Sequence, residues 1–153
     1  TMKLAVEFMK KIPLFKGFTD DQYNRVFHIC SKRTIEKGSY VYYEGEDSTD
    51  LYILVQGRLR ITIKGTTLSI LYPLSMVGEI GVFTDGNRSA SVFVDEDATV
   101  IRIPKKELLV LMRDDLMLSN HILHNVVNDL VGKLQEDNRI IHELRKEKNT
   151  LIM

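Results

Sequence analysis

The segment Gly78–Val92 reads GEIGVFTDGNRSASV and decides how the rest of this sequence is interpreted. Within fifteen positions it holds Glu79, Arg88, Ser89 and three glycines. An arginine and bare backbone amides suit a phosphate, whereas a carboxylate can accept a hydrogen bond from a sugar hydroxyl. The combination therefore predicts a pocket for a phosphate that is joined to a sugar.

The same residues suit one ligand chemistry in particular, a cyclic phosphodiester with a single negative charge. A buried arginine contributes about 1.5–3 kcal/mol through each charge-assisted hydrogen bond to such an anion. A short helix is expected to open after Gly78 with its amide groups toward the anion, and Ser89 adds a hydroxyl donor. Glu79 suits the 2′-hydroxyl of a ribose. The alternative is that Glu79 and Arg88 form a structural ion pair near a turn.

Short segments rich in β-branched and aromatic residues surround this stretch between residues 33 and 104. Glycines separate them at turn-like intervals, and apolar and polar residues alternate from Leu59 to Lys64 as in a strand with one wet face. Many short strands without long helices between them predict an antiparallel β-roll, a double-stranded β-helix of the jelly-roll type. The predicted strands are Thr34–Tyr43, Leu51–Val55, Leu59–Lys64, Thr67–Leu71, Ala90–Val94 and Ala98–Ile103, and the separating glycines are Gly38, Gly45, Gly57, Gly65 and Gly78.

Helical patterns flank the roll on both sides, so the predicted fold class is α+β. Residues 2–31 read as short helices, with Thr19 as the N-cap of one of them. Residues 105–153 read as a short helix over Lys105–Met112 and a long helix from Leu116 to about Lys148. The long helix has a narrow seam at 4-3 spacing, which predicts a partner helix because seven of its nine positions are apolar. The seam consists of Leu123, Val127, Leu130, Leu134, Asp137, Ile141, Leu144, Lys148 and Leu151.

The composition fits one folded unit over residues 1–153 and argues against several classes of function. Lys and Arg number 21, as do Asp and Glu, so no net positive charge draws in nucleic acid or an anionic membrane. No apolar run approaches the ~20 residues of a membrane span, and no secretory leader opens the chain, so we expect a cytoplasmic location. Cys30, His121 and His124 lack the further ligands of a metal site. No nucleophile, base or metal cluster predicts catalysis, so we expect no enzyme activity.

The run Gly78–Phe83 followed by Arg88–Ala90 resembles the phosphate-binding cassette of the cyclic-nucleotide-binding domain family, most closely its catabolite activator protein (cyclic AMP receptor protein) type. Residues 78–92 are therefore called the cassette below. The resemblance extends from Pro13 through the long helix. The resemblance also includes the glycine-framed strands that precede the cassette in the family, which match Gly38, Gly45, Leu51–Leu54 and Gly57.

The resemblance implies a role for each matched residue. Glu79 would hold the ribose 2′-hydroxyl, while Arg88 and Ser89 would hold the cyclic phosphate. The long helix would cover the base and pair with its twin in a homodimer. The backbone amides that complete the cradle would come from Gly78, Ile80, Gly81 and Ala90, the residues beside the base would be Ile61, Leu68 and Ser69, and contacts to the base edge would come from Asp137 and Asn138.

Two departures from the family pattern bear on what the resemblance implies. The sequence ends at Met153, directly after the long helix, whereas catabolite activators continue into a helix-turn-helix domain. Direct nucleic-acid binding by this chain is therefore not expected. Asn87 stands where many members carry a proline before the cassette arginine, which fits the bacterial branch better than the kinase regulatory subunits.

From the sequence we therefore expect a sensor that binds cyclic AMP, with cyclic GMP as the alternative ligand and no metal. It would signal through ligand-dependent docking of the long helix in a dimer, to a downstream protein that the residues do not identify. Two other interpretations remain open: the sensory half of a transcription regulator, and a ligand-free dimerisation or scaffold module of the same fold.

Overall fold

The computed structural model describes residues 2–152, and their side chains from Val6 onward. The chain opens with α1 (Met2–Met9), a 3₁₀ turn (Pro13–Phe15) and α2 (Asp20–Ile29). It closes with α4 (Lys105–Asp114) and the long helix α5 (Leu116–Ile152). Between them lie the strands β1 (Ser31–Ile35), β2 (Tyr40–Tyr42), β3 (Asp50–Ile63), β4 (Thr66–Leu71), β5 (Met76–Val77) and β6 (Ser91–Pro104), and the short helix α3 (Glu79–Phe83).

All strand pairs are antiparallel, and the two long strands β3 and β6 form the centre of the sheet. β6 pairs with β1 and β2 on its other edge, while β3 pairs with β4 and β5. The apolar residues that face inward are completely buried, among them Leu54, Leu59, Val92, Val94 and Val100. The predicted α+β fold is confirmed: an antiparallel roll between short N-terminal helices and a long C-terminal helix.

A second apolar cluster joins the helices to one end of the roll. It combines residues of the 3₁₀ turn and α2 with residues of β3, β6, α4 and α5. The side-chain amide of Asn125 on α5 adds polar contacts, because it donates to the carbonyls of Leu14 at 2.8 Å and Lys16 at 2.9 Å. This cluster fixes the first part of α5 against the N-terminal helices.

The N-terminal prediction for α2 is correct in detail. Thr19 is the N-cap, and its hydroxyl accepts from the Gln22 amide while the Gln22 side chain accepts from the Thr19 amide. At the other end of the chain, α5 continues four residues past the predicted Lys148. From Leu134 onward every described residue of α5 is exposed, so the second half of the helix packs on nothing in the same chain.

Three predicted strand boundaries are wrong. The predicted strands Leu51–Val55 and Leu59–Lys64, apart from Lys64, are parts of the single strand β3. Likewise Ala90–Val94, apart from Ala90, and Ala98–Ile103 are parts of β6. Conversely, the predicted strand Thr34–Tyr43 is split into β1 and β2.

The error at β3 comes from Gly57, which forms a bulge rather than a turn. Its φ is +99°, and the register between β3 and β6 shifts on both sides of it while pairing continues. A Cβ at this position would overlap the Asp97 carbonyl oxygen and lie 2.8 Å from the Ala98 Cα. Both neighbouring groups are backbone of the paired strand and cannot move aside as a side chain could.

We predict that Gly57→Ala lowers the free energy of unfolding by at least about 2 kcal/mol, because the positive φ and the clash both oppose a Cβ. Urea unfolding at pH 7 measures the change. Gly132→Ala on α5 is the matched control, since a Cβ there meets no atom within 4 Å. It should raise the free energy of unfolding by about 0.5–1 kcal/mol. Equal effects of the two substitutions would contradict the bulge.

Candidate functional site

The Arg88 guanidinium is buried where the end of the cassette meets the start of β3. The residue is 5% exposed. Nη1 donates to the Gly78 carbonyl at 3.1 Å, and Nη2 donates to the Asp50 carbonyl at 2.5 Å. The backbone of Arg88 is held as well, because its amide donates to the Glu46 carbonyl and its carbonyl accepts from the Gly45 amide, both at 2.8 Å. The cation is therefore fixed at both ends of its side chain.

This buried cation has no anionic partner among the residues that the structure describes. Both of its hydrogen bonds go to neutral carbonyls, and its Nε is buried without a hydrogen-bond partner. Charged side chains are seldom fully buried unless they are paired, because desolvation of an isolated charge is costly. Arg88 is therefore the candidate in this region for pairing with an anion from outside the protein.

Glu79 lies in the same region but pairs with a different cation. It is 5% exposed at the start of α3, and its Oε1 accepts from the Lys133 Nζ at 2.8 Å. Lys133 also donates to the Met76 carbonyl at 3.2 Å and lies 3.0 Å from Asp129. The structural ion pair between Glu79 and Arg88, the alternative considered from the sequence, is not formed. Glu79 faces α5 instead, which carries its partner.

The Lys133 ammonium is held in its charged form. Burial lowers its pKa, but the charges of Glu79 and Asp129, and its hydrogen bonds to them, outweigh that effect and raise the pKa above its usual value. Lys133 is the last residue of α5 with a polar contact to the roll within the described chain. It therefore ties the long helix to the cassette.

Two cassette glycines are required by close approach. Gly78 has a φ of +92°, and a Cβ there would lie 2.6 Å from the Arg88 Nη1. At Gly81 a Cβ would lie 2.5 Å from the Cβ of Ser48, whose hydroxyl is buried without a partner. The predicted short helix after Gly78 is present as α3. Glycine at these two positions lets α3 sit directly against Arg88 and the loop before β3.

The remaining cassette residues lie toward the surface. Ser89 is exposed, Ala90 is half-buried, and Ile80 is 52% exposed on α3. The Ser89 hydroxyl makes no hydrogen bond to another side chain or carbonyl among the described residues. Their position leaves Ser89 and Ile80 accessible to a ligand that approaches Arg88 from solvent.

The predicted base-flanking residues belong to a row of strand partners that leads to Arg88. Ser69 on β4 pairs with Ile61 on β3, Ile61 pairs with Val92 on β6, and Val92 pairs with Tyr42 on β2. The Tyr42 ring in turn lies on the Arg88 guanidinium, with Cζ 3.9 Å from the ring centroid. Leu68, next to Ser69, is 57% exposed. The sheet therefore brings Ile61 and Ser69 into register with the cassette.

Asp137 and Asn138 are not brought to the cassette within one chain. Both are exposed on α5, four and five residues beyond Lys133. At a rise of about 1.5 Å per residue they stand roughly 6–8 Å farther along the helix axis. The fold of a single chain places them on the open half of α5.

Sequence reasoning missed three contributors, namely Tyr42, the carbonyl of Asp50, and Lys133. The only local signal was the spacing of Asp129 and Lys133 at i and i+4 on the long helix, which favours an ion pair. Nothing in that spacing indicated Glu79, which is 54 residues away. The partners of Tyr42 and Asp50 depend on strand register, which the sequence pattern does not specify.

Other features of the described residues assign no further chemistry. No group of three or more His, Cys, Asp or Glu side chains between residues 2 and 152 is arranged to hold a metal. His121 packs against Gly17 and the Phe18 ring. Cys30 is half-buried, and burial raises the pKa of its thiol to about 12. No helix in the described part of the chain is long and apolar enough to cross a membrane.

Comparison with known proteins gives relatives that share most of this chain. The cyclic AMP receptor protein of Thermus thermophilus is 28% identical over 133 residues, which cover 84% of this chain and 60% of that protein. Glutaminase 1 of Bradyrhizobium diazoefficiens is 28% identical over 123 residues, which cover 80% of this chain and 20% of that protein. The chain thus spans three fifths or less of the length of these curated relatives.

Solved structures share the fold. The catabolite activator protein of Thermus thermophilus matches with a TM-score of 0.70 at 28% identity, over 86% of this chain and 62% of that one. A cyclic nucleotide-binding domain from Methylobacillus flagellatus matches with a TM-score of 0.79 at 18% identity, over 93% and 83% of the two chains. The family model described as the cyclic nucleotide-binding domain matches residues 32–115, which include the whole cassette. This chain belongs to the cyclic nucleotide-binding domain family.

Proposed function

We propose that residues 1–153 act as a single sensor domain for cyclic AMP. The observation that carries the proposal is the buried Arg88 guanidinium, which has neutral carbonyl partners and an unpaired Nε but no carboxylate among the described residues. A cyclic phosphodiester supplies the missing negative charge. The identity of 28% to a cyclic AMP receptor protein supports the same ligand class.

In the proposed complex, the cyclic phosphate accepts hydrogen bonds from the Arg88 guanidinium, the Ser89 hydroxyl and amides of the cassette. The ribose 2′-hydroxyl donates to Glu79. Because Lys133 occupies Oε1 of that carboxylate, Oε2 is the oxygen that remains for the sugar. The ligand thereby joins the cassette to the residue that already ties α5 to the roll.

The base would lie beside Ile61, Leu68 and Ser69, on the strands that are in register with Tyr42. Adenine offers an exocyclic amine that Asp137 or Asn138 can accept from, whereas guanine offers N1–H and N2 donors that Asp137 suits equally. We propose cyclic AMP on the strength of the named relative rather than of any one residue. Cyclic GMP is the alternative that the binding experiment below separates.

We propose that the signal is a shift in the position of α5. The half of the helix beyond Lys133 is free of the roll, so the ligand can favour a state in which that half docks over the base. Coupling between ligand sites and such movements is usually worth about 1–3 kcal/mol.

We further propose that α5 forms a homodimer. Most of its seam is exposed in the single chain, although a solvated apolar row of that length is unfavourable. The exposed apolar members are Leu123, Val127, Leu134, Ile141, Leu144 and Leu151.

A second candidate is the sensory half of a transcription regulator. The match to the Thermus cyclic AMP receptor protein covers most of this chain but only 60% of that protein, which favours a longer natural architecture. Direct nucleic-acid binding would then be the task of a separate domain. A ligand-free scaffold of the same fold is less favoured, because Glu79, Arg88 and Ser89 are all retained in the cassette.

We predict that cyclic AMP at a hundredfold excess over its Kd stabilises the chain by about 2.7 kcal/mol, with a smaller effect of cyclic GMP and the least effect of AMP. Thermal unfolding and titration calorimetry measure the stabilisation and the base preference. Arg88→Leu should abolish the response, and Glu79→Ala should weaken it less, because the first removes the charge that pairs with the phosphate.

Arg113→Leu is the matched control for the loss of one positive charge. Arg113 is exposed on α4 and pairs only with Asp114 among the described residues, so its removal should leave the response unchanged. A normal response of Arg88→Leu would refute the phosphate assignment. Silence of the wild-type chain with all three nucleotides would favour the scaffold.

Charge on the seam should break the dimer. We predict that Leu144→Glu shifts the chain from dimer to monomer in sedimentation equilibrium, because it places a charge in an apolar interface. Gln135→Glu is the control, since it adds the same charge on the opposite face of α5 and should leave the dimer intact. A wild-type monomer at all concentrations, or equal effects of both substitutions, would argue against this interface.

The ion pair between Lys133 of α5 and Glu79 of the cassette should give a measurable coupling energy in a double-mutant cycle. We predict that Lys133→Gln and Glu79→Gln each lower the free energy of unfolding by about 1–2 kcal/mol. The loss is smaller than for a fully buried ion pair, because Lys133 is partly exposed. The double variant should lose less than the sum. Because folding raises the Lys133 pKa, the contribution is present at pH 7 and is lost only as the pH rises through that raised value.

Lys146→Gln serves as the control for this cycle. Lys146 is exposed near the end of α5 and outside the seam, so its replacement should change stability by less than about 0.5 kcal/mol. Strictly additive effects of Lys133→Gln and Glu79→Gln would mean that the two side chains do not interact in solution.

A further inference from the structure

The aromatic ring of Tyr42 closes one face of the Arg88 guanidinium. The Arg88 Cζ lies 3.9 Å from the ring centroid, well within the range of a cation–π interaction. Tyr42 is 9% exposed and belongs to the apolar cluster inside the roll. The pair is therefore shielded from solvent, where such an interaction is stronger than at the surface.

Tyr42 adds no negative charge to this contact. Burial raises the pKa of its phenol to about 12, although the neighbouring Arg88 charge lowers it in part. The phenol is therefore neutral at physiological pH. The ring stabilises the cation through its π-face while the charge of Arg88 stays available for an anion.

The position of Tyr42 is itself fixed by the roll. The residue pairs with Val92 of β6, and its ring packs 6.2 Å from the ring of Tyr52. Tyr52 is 6% exposed on β3, so the ring has a buried support behind it. The ring cannot turn away from Arg88 without disturbing this packing.

Three contacts together fix the orientation of the guanidinium. The Tyr42 ring covers one face, while the carbonyls of Gly78 and Asp50 take up one N–H on each terminal nitrogen. The Nε–H remains without a partner. The ring closes that face of the guanidinium to an anion, and three N–H donors are left to bind one: the Nε–H and one N–H on each terminal nitrogen.

We propose that Tyr42 is a positioning residue of the ligand site, which stacks on Arg88 and holds its free N–H donors toward the phosphate of the nucleotide. This role rests on the proposed function, because it presupposes that Arg88 binds the cyclic phosphate. The proposal thereby adds a residue of β2 to the ligand site, beside the residues of the cassette.

Titration calorimetry with cyclic AMP tests the proposal on the full chain. Tyr42→Leu, which removes the ring, should weaken binding about tenfold, while Tyr42→Phe, which retains the ring, should bind within about twofold of wild type. Tyr23→Leu is the matched control, since Tyr23 is a buried aromatic of the other apolar cluster. Its affinity should stay within about twofold of wild type. Rescue by Phe separates stacking from the hydroxyl, and the Tyr23 variant separates it from general destabilisation.

A second measurement needs no ligand and no destabilising variant. In the NMR spectrum of the wild-type chain, the δ-methylene protons of Arg88 should be shifted upfield by the Tyr42 ring current relative to those of the exposed Arg113, because carbon-bound protons do not respond to hydrogen bonding. The shift should persist in Tyr42→Phe. An Arg88 signal at the position of Arg113 would overturn the stacking, even if Tyr42→Leu fails to fold.

The outcomes separate the two proposals. If the wild-type chain binds cyclic AMP and Tyr42→Leu binds it equally well, the role of Tyr42 is wrong and the proposed function stands. If the wild-type chain binds neither cyclic AMP nor cyclic GMP, the proposed function fails and the phosphate role of Tyr42 fails with it.

Discussion

The charge of Arg88 is held inside the protein by two backbone carbonyls and an aromatic ring, without a carboxylate among the described residues. Such an arrangement leaves a buried cation only partly compensated, which is costly unless an anion completes it. The carboxylate that could have neutralised Arg88, Glu79, is instead paired with Lys133. The two charges of the cassette are thereby kept apart, and each retains atoms with which a bound ligand can interact.

The glycines, strand and helix around Arg88 accommodate its guanidinium or connect to it. Gly78 must lack a Cβ because the Arg88 guanidinium occupies that space, and Gly81 must lack one because the loop before β3 lies against it. The first residue of β3, Asp50, supplies a carbonyl to Arg88, and β3 continues as one strand through the bulge at Gly57. Lys133 then extends the same network to α5, the only part of the chain with a long unsupported segment among the described residues.

The sequence predicted what is local and missed what depends on register. The β-roll, the flanking helices, the Thr19 cap and the helix after Gly78 were all predicted, because alternation, capping and glycine signals lie within a few residues of each other. Gly57 misled the strand prediction, since a glycine between two apolar runs reads as a turn and is here a bulge. Tyr42 precedes its partner Arg88 by 46 positions, and Lys133 follows its partner Glu79 by 54 positions. No sequence pattern links residues that far apart.

The most direct test is a crystal structure of the chain with cyclic AMP. We expect a phosphate oxygen within hydrogen-bond distance of the Arg88 guanidinium, the ribose 2′-hydroxyl on Glu79, and the Tyr42 ring still stacked on the guanidinium. A nucleotide bound elsewhere, or an Arg88 guanidinium that remains hydrogen-bonded only to Gly78 and Asp50 beside a bound nucleotide, would contradict the assignment of Arg88 as the phosphate-binding cation.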